Sequence, residues 1–204
     1  MSLVTITVDE AKLKDIEKRL DKNSKEAANV LKKAVNKTAR EAKKKLAVKA
    51  KEQYSAKGGA SAYTKAMTVK SATKSNPSAV IIAKGEAKEL KDFKVSPTRV
   101  ARTGNRPKQY KAQVLRTGSM KTLEKDGVKA FITQFQSGHV AVVRRVPGKH
   151  MKSNPKKEFI KKLLSPAVPQ MVGNEKRVYG VVEPEIGKDL QSNLSEFIRQ
   201  QMGG

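Results

Sequence analysis

Apolar and polar positions first alternate with a period of two, over Leu3-Val4-Thr5-Ile6-Thr7-Val8. This alternation of β-branched residues predicts a short strand over 3–8. Asp9 is placed to cap a short helix over about 10–22, in which Leu13, Ile16 and Leu20 recur at helical spacing. Asn23, followed three residues later by Glu26, has the form of a capping box. From Ser24 to Tyr54 there is no proline and no glycine, and Ala28, Leu31, Val35, Thr38, Ala42, Leu46 and Ala50 recur at steps of three and four. The spacing predicts one long helix with a narrow stripe of small apolar residues, about 31 residues and roughly 46 Å in length. A helix this basic is marginal by itself, so its stability has to come from packing.

Lys57-Gly58-Gly59-Ala60-Ser61 ends that helix, and the period returns to two. Strands are predicted over 67–72 and 78–83, joined by the turn signal Lys74-Ser75-Asn76-Pro77, and again over 110–115, 129–135 and 138–145. The last two, separated by Gln136-Ser137, form the clearest hairpin. Basic polar stretches over about 94–109 and 146–158 read as long loops, of the kind that carry function in compact domains. Pro166 to Met171 reads as an extended, proline-fixed connection. Glu183-Pro184 then opens a terminal helix with Ile186, Leu190, Leu194, Phe197, Ile198 and Met202 on one face. The pattern predicts an α+β fold: a long N-terminal helix packed on an antiparallel β-sheet, with a C-terminal helix over 184–204. At 204 residues the chain reads as a single domain over 1–204, with residues 1–22 as an N-terminal strand and helix appendage.

Composition changes that picture in two ways. Hydrophobic residues make up 37% but aromatics only 4%, so the core must be built from Val, Ile, Leu and Ala. Against 19 Asp+Glu stand 44 Lys+Arg, a formal net charge of +25. Such a field draws polyanions: a nucleic acid, an anionic membrane surface or an acidic protein partner. A helix lying on a membrane needs Trp, Phe or Leu on its buried face, whereas the basic helix here is rich in Ala, which argues against a membrane. No apolar run is long enough for a transmembrane helix, and the N-terminus turns acidic too soon for a secretory signal. After Arg177 the sign reverses, with Glu183, Glu185, Asp189 and Glu196. A basic body and a mildly acidic C-terminal segment can pair within one chain or between neighbours.

Candidate chemistry is thin. The chain has no Cys, which excludes disulfides, thiol nucleophiles and Cys-ligated zinc and fits a reducing compartment. His139 falls in a strand pattern and His150 in a basic stretch, and both read as structural or surface residues. Acidic residues are sparse in the middle and form no Asp-x-Asp pair for magnesium. Phosphate-loop, G-x-S-x-G and H-E-x-x-H motifs are absent. Lys57-Gly58-Gly59 and Gly104-Asn105-Arg106 read as turns. The expectation is therefore no catalytic activity, no cofactor and no metal. Phe131 and Phe135, on one strand face, read as core residues before they read as a base-stacking platform. Without a helix-turn-helix pairing, any nucleic-acid contact is expected to be non-specific contact with phosphates.

Four motifs in order carry a resemblance. The segment Leu31 to Ala42, containing Asn36-Lys37-Thr38-Ala39-Arg40, resembles the Asn-x-Thr-Ala-Arg helix of the phage minor tail protein Z family of tail-completion proteins. Leu90-x-x-Phe93 is similar to that family's short motif after its first hairpin. Ala130-Phe131-Ile132 through Val143-Arg144-Arg145 looks like its central hairpin, and Leu164 to Met171 resembles its x-P-x-V-P-x-M connection. The match spans roughly residues 24–200. It implies a non-catalytic structural protein of a long-tailed bacteriophage or prophage, acting late in tail assembly near the end that joins the head. It implies residence in the virion, assembly in the host cytoplasm, and partners among phage tail and neck proteins. Also implied are a homo-oligomer such as a ring of six and contact with the end of the phage DNA. In that setting Lys37, Arg40, Lys44, Arg99, Arg102, Arg106, Arg144, Arg145, Lys149 and Lys152 are the residues expected to face neighbours or DNA. The alternative reading is a non-specific nucleic-acid-binding protein that acts by charge neutralisation.

Overall fold

The structure, a computed structural model, describes residues 2–6, 18, 24–100 and 105–202. The helix expected over 10–22 (Lys18 apart), the cap at Asn23 and the candidate Arg102 lie outside the described residues. The chain forms two compact units, one from Met1–Lys51, Ala60–Gly85 and Val168–Gly204, the other from Glu52–Gly59 and Glu86–Ala167.

In the first unit the long helix α1 spans Ser24–Gln53. Its buried face is wider than the expected stripe. Ala27, Val30 and Ala34 are buried beside Leu31, Val35, Thr38, Ala42 and Leu46, while Ala28 is half-buried. Alanine supplies the reason: small side chains on both flanks let neighbouring elements approach around more of the circumference. The helix packs on an antiparallel sheet of β1 (Ser2–Ile6), β2 (Met67–Lys70) and β3 (Ala79–Ala83), in the order β1-β3-β2. Alternate residues Ala79, Ile81 and Ala83 of β3 are buried, with Val4 opposite Ile81 and Met67 opposite Ala83. Asn36 ties the helix to the segment just after β2: its side-chain amide donates to the Ala72 carbonyl at 3.0 Å, and its carbonyl accepts the Ala72 N–H at 2.8 Å.

Three short features depart from the sequence reading. Helix α2 (Gly59–Lys65) lies where only a turn was expected, held by the fully buried Tyr63. Helix α3 (Val168–Val172) replaces the extended connection. Pro169 sits in its first turn, where a missing N–H leaves nothing unsatisfied, and Val168, Met171 and Val172 are buried. Helix α4 (Tyr179–Gln201) opens ahead of Glu183-Pro184, so Pro184 lies inside it. The extra turn adds Val182 to the buried row Ile186, Leu190, Leu194 and Ile198, and that burial outweighs the one backbone bond that proline removes. At the far end of the expected stripe, Met202 is 65% exposed.

In the second unit β8 (Glu124–Lys125), β9 (Val128–Gln134), β10 (Val140–Met151) and β11 (Asn154–Lys162) form an antiparallel sheet in the order β11-β10-β9-β8. Smaller sheets join β5 (Lys94–Ser96), β6 (Lys111–Gln113) and β7 (Lys121–Thr122), and β4 (Lys88–Glu89) with β12 (Leu164–Ser165). The expected hairpin is present, with Val143 opposite Phe131. Leu90, Val95, Tyr110, Phe131, Ile132, Val142 and Val143 belong to the core. The stretch 146–158 is not a loop. β10 runs through it to Met151 and β11 returns, making a two-stranded arm. Pro147, Gly148 and Pro155 hide the strand alternation because they produce bulges. Between the pairs Arg145–Ile160 and His150–Glu158, β10 advances five residues and β11 two. Gly148 lies at φ 75°, in the left-handed region. The stretch 94–109 likewise begins as strand β5.

Candidate functional site

The basic face of α1 meets the acidic C-terminal segment inside one chain. Lys37 Nζ donates to Glu196 Oε2 at 2.6 Å and lies 5.7 Å from the centre of the Phe197 ring. Lys45 Nζ stands 2.7 Å from Asp189 Oδ2 and 3.2 Å from Glu185 Oε2. Between these ties the buried Asn193 amide donates to Thr38 Oγ1 and to Glu41 Oε2, both at 2.9 Å. Rising numbers on α1 meet falling numbers on α4, so the two helices run antiparallel. The hydrogen bond from Lys37 holds the Glu196 carboxyl below its ordinary range, and the same bond raises the Lys37 ammonium. Of the three candidates on α1, Lys37 is thus engaged by α4, while Arg40 and Lys44 are exposed.

The other candidates belong to the second unit. The Arg106 guanidinium stacks 4.2 Å from the centre of the Phe131 ring, and that of Arg145 stands 5.6 Å from the same ring. A guanidinium over a ring face keeps its N–H edge free to meet a carboxylate or phosphate. Arg145 also lies 3.5 Å from Glu158. Phe131 is 8% exposed, so it supports cations and is no platform for a base. Arg144 is half-buried, and Arg99, Lys149 and Lys152 are exposed. The structure therefore joins Arg106 and Arg145 at one ring and places Lys149 and Lys152 on the β10–β11 arm.

One cluster escaped sequence reasoning. Glu89 accepts hydrogen bonds from His139 Nε2 and Lys162 Nζ, each at 2.9 Å, with Lys91 Nζ 3.7 Å away. Burial pushes the Glu89 carboxyl up, but the bonds from Lys162 and His139 outweigh it and hold the group below its ordinary range. Lys162 and His139 are both close to the Phe135 ring, at 5.8 and 6.1 Å. These partners lie 50 and 73 residues from Glu89, and no local pattern marks such a pairing.

The family-like motifs turn out to hold structure. Asn36 clamps Ala72, Thr38 accepts from Asn193, and Ala39 is fully buried. Leu90 and Phe93 are core residues, as are Val168 and Met171. Among the described residues no three His, Asp or Glu side chains gather to hold a metal, and no helix is long and apolar enough to cross a membrane.

An α+β chain whose long helix is lined with alanine, whose Glu89, Glu185, Asp189 and Glu196 are engaged by lysines of the same chain, and whose Arg99, Arg106, Lys149 and Lys152 face solvent, is equipped for binding and scaffolding. The chain belongs to the family of prophage minor tail protein Z (GPZ), whose model matches residues 10–202. Membership makes it a phage minor tail protein with a structural role in the tail, in contact with other tail proteins. No curated protein and no solved structure matches the chain.

Proposed function

We propose that this protein completes the phage tail and joins it to the head, without catalysis, as one tail-completion-like domain over residues 1–204. It acts at the head-proximal end as a homo-oligomeric ring, assembled in the host cytoplasm. The family match over residues 10–202 carries this reading, and the net charge of +25 supports a second element of it. A lumen lined by Arg106, Arg145 and neighbouring cations guides or holds the end of the DNA through its phosphates. Closed rings use heterologous interfaces, which leave different faces of each copy for its two neighbours.

Deleting the gene tests the reading. The expected outcome is recognisable heads and tails but few productive particles, with titre restored by the wild-type chain in trans. Normal titres from the deletion would overturn it. The surplus charge also favours a second reading, a non-specific nucleic-acid-binding protein. Gel filtration with light scattering separates the two: a ring without DNA supports tail completion, and a monomer with tight, steeply salt-dependent DNA binding supports the alternative.

A further inference from the structure

The β10–β11 arm is built in a way that its own sheet does not explain. Pairing of β10 with β9 ends at Arg144, and beyond it the arm is a two-stranded ribbon to Met151 and Asn154. Ribbons of two strands are marginal in water and gain stability when a third element covers them. Pro147 and Pro155 remove backbone donors and bulge the strands, which blunts indiscriminate pairing along the edge. The bulges also open a hollow of about 640 Å³, lined by Lys149, His150, Met151, Lys152, Ser153 and Phe159. Phe159 is 44% exposed there, an aromatic side chain standing in solvent.

Charge selects the occupant. Lys149, Lys152, Lys156, Lys157 and Lys161 are exposed along the arm, while its one acid, Glu158, faces Arg145 at 3.5 Å. A second copy of this chain has its acidic C-terminal segment already engaged on its own α1 through Glu185, Asp189 and Glu196, so a like copy offers the arm little negative charge and meets its neighbours in the ring through other faces. A DNA backbone has the right sign but brings nothing apolar to fill a hollow beside Phe159 and Met151. An acidic protein segment carrying an apolar side chain satisfies both demands, with an aromatic anchor inside and charges at the rim. Resting on the tail reading, we propose that the arm is the docking element for an acidic protein partner, whose apolar side chain enters the hollow while its carboxylates meet the lysines.

The test uses the full chain and a labelled synthetic peptide alternating glutamate with leucine, beside a version with serine for leucine and a short DNA duplex. Phe159→Ser is expected to weaken the leucine peptide by about tenfold or more, to leave duplex affinity unchanged, and to be rescued by Phe159→Leu. Paired reversal, Lys149→Glu with Lys152→Glu, is expected to weaken peptide and duplex together. Equal affinity for the leucine and serine peptides, or no effect of Phe159→Ser, would overturn the proposal. So would a loss of duplex binding alone, which would make DNA the occupant. In particles lacking the gene, supplied wild-type chain is expected in purified tails and the Phe159→Ser chain is expected to be depleted. Absence of the wild-type chain from tails refutes the tail reading and leaves the peptide result standing. Equal incorporation of both chains refutes the arm alone.

Discussion

Asn193, 5% exposed, shares its amide between a hydroxyl and a carboxylate of the facing helix. A buried amide with partners costs little, whereas partners that lose it remain desolvated. Asn193→Ala is therefore expected to lower stability by about 1–3 kcal/mol, read as a lower denaturant midpoint at unchanged slope. Adding Thr38→Val should cost less than the sum of the two single changes, because both delete the same bond. The ionisable pairs set a pH window. Glu89 and Glu196 are held below the ordinary 4.5, so each favours the fold above that value and ceases to as pH falls through its folded-state value. Lys37 and Lys45 are raised above 10.5, so their contribution is present below 10.5 and disappears as pH climbs past the raised values. Melting temperature is expected to be flat between these limits and to fall on both sides. Glu89→Gln should flatten part of the acid limb and leave the alkaline limb unchanged.

Helix α4 carries two opposed devices near its start. Pro184 cannot donate to the Gly180 carbonyl, and at Gly180 a Cβ would overlap the Glu175 carbonyl. Pro184→Ala restores the missing donor on an exposed face and is expected to stabilise the protein by about 1–3 kcal/mol. Gly180→Ala should destabilise it by a similar amount, about 1–3 kcal/mol, with both changes read by thermal and chemical denaturation. Legibility in the sequence followed element length. Helix α1, with 30 residues, repeats its period many times and was readable. The seven residues of α2 and five of α3 complete too few turns to register one. Proline misled in two directions, suggesting extension at Pro169, which sits in a helix, and a loop at Pro147 and Pro155, which sit in bulged strands. At the candidate site the cations were legible as charge. Their partners were not, because Lys37 and Glu196 stand 159 residues apart and only the fold brings them together.

For the molecule as a whole, the excess charge makes a quantitative demand on the proposed DNA contact. If Arg106 and Arg145 meet phosphates, replacing both by alanine should reduce the slope of log affinity against log salt by about 1–2, each contact accounting for roughly 0.9. Duplex binding followed by fluorescence anisotropy across a salt series measures this, and an unchanged slope would move the contact elsewhere on the chain. The first unit has a further property that concerns how the protein is made. Its segments come from both sides of the second unit, and the bond between Thr38 and Asn193 spans 155 residues. During synthesis the alanine-rich flank of α1 leaves the ribosome long before the residues from Val168 onward that will cover it. Closure of this unit must wait for them. A chain interrupted before that point keeps an uncovered apolar surface, open to proteases and chaperones. Copies truncated before Val168 are therefore expected to be cleared and to be missing from purified particles, which a pulse-chase of truncated and full-length chains would check.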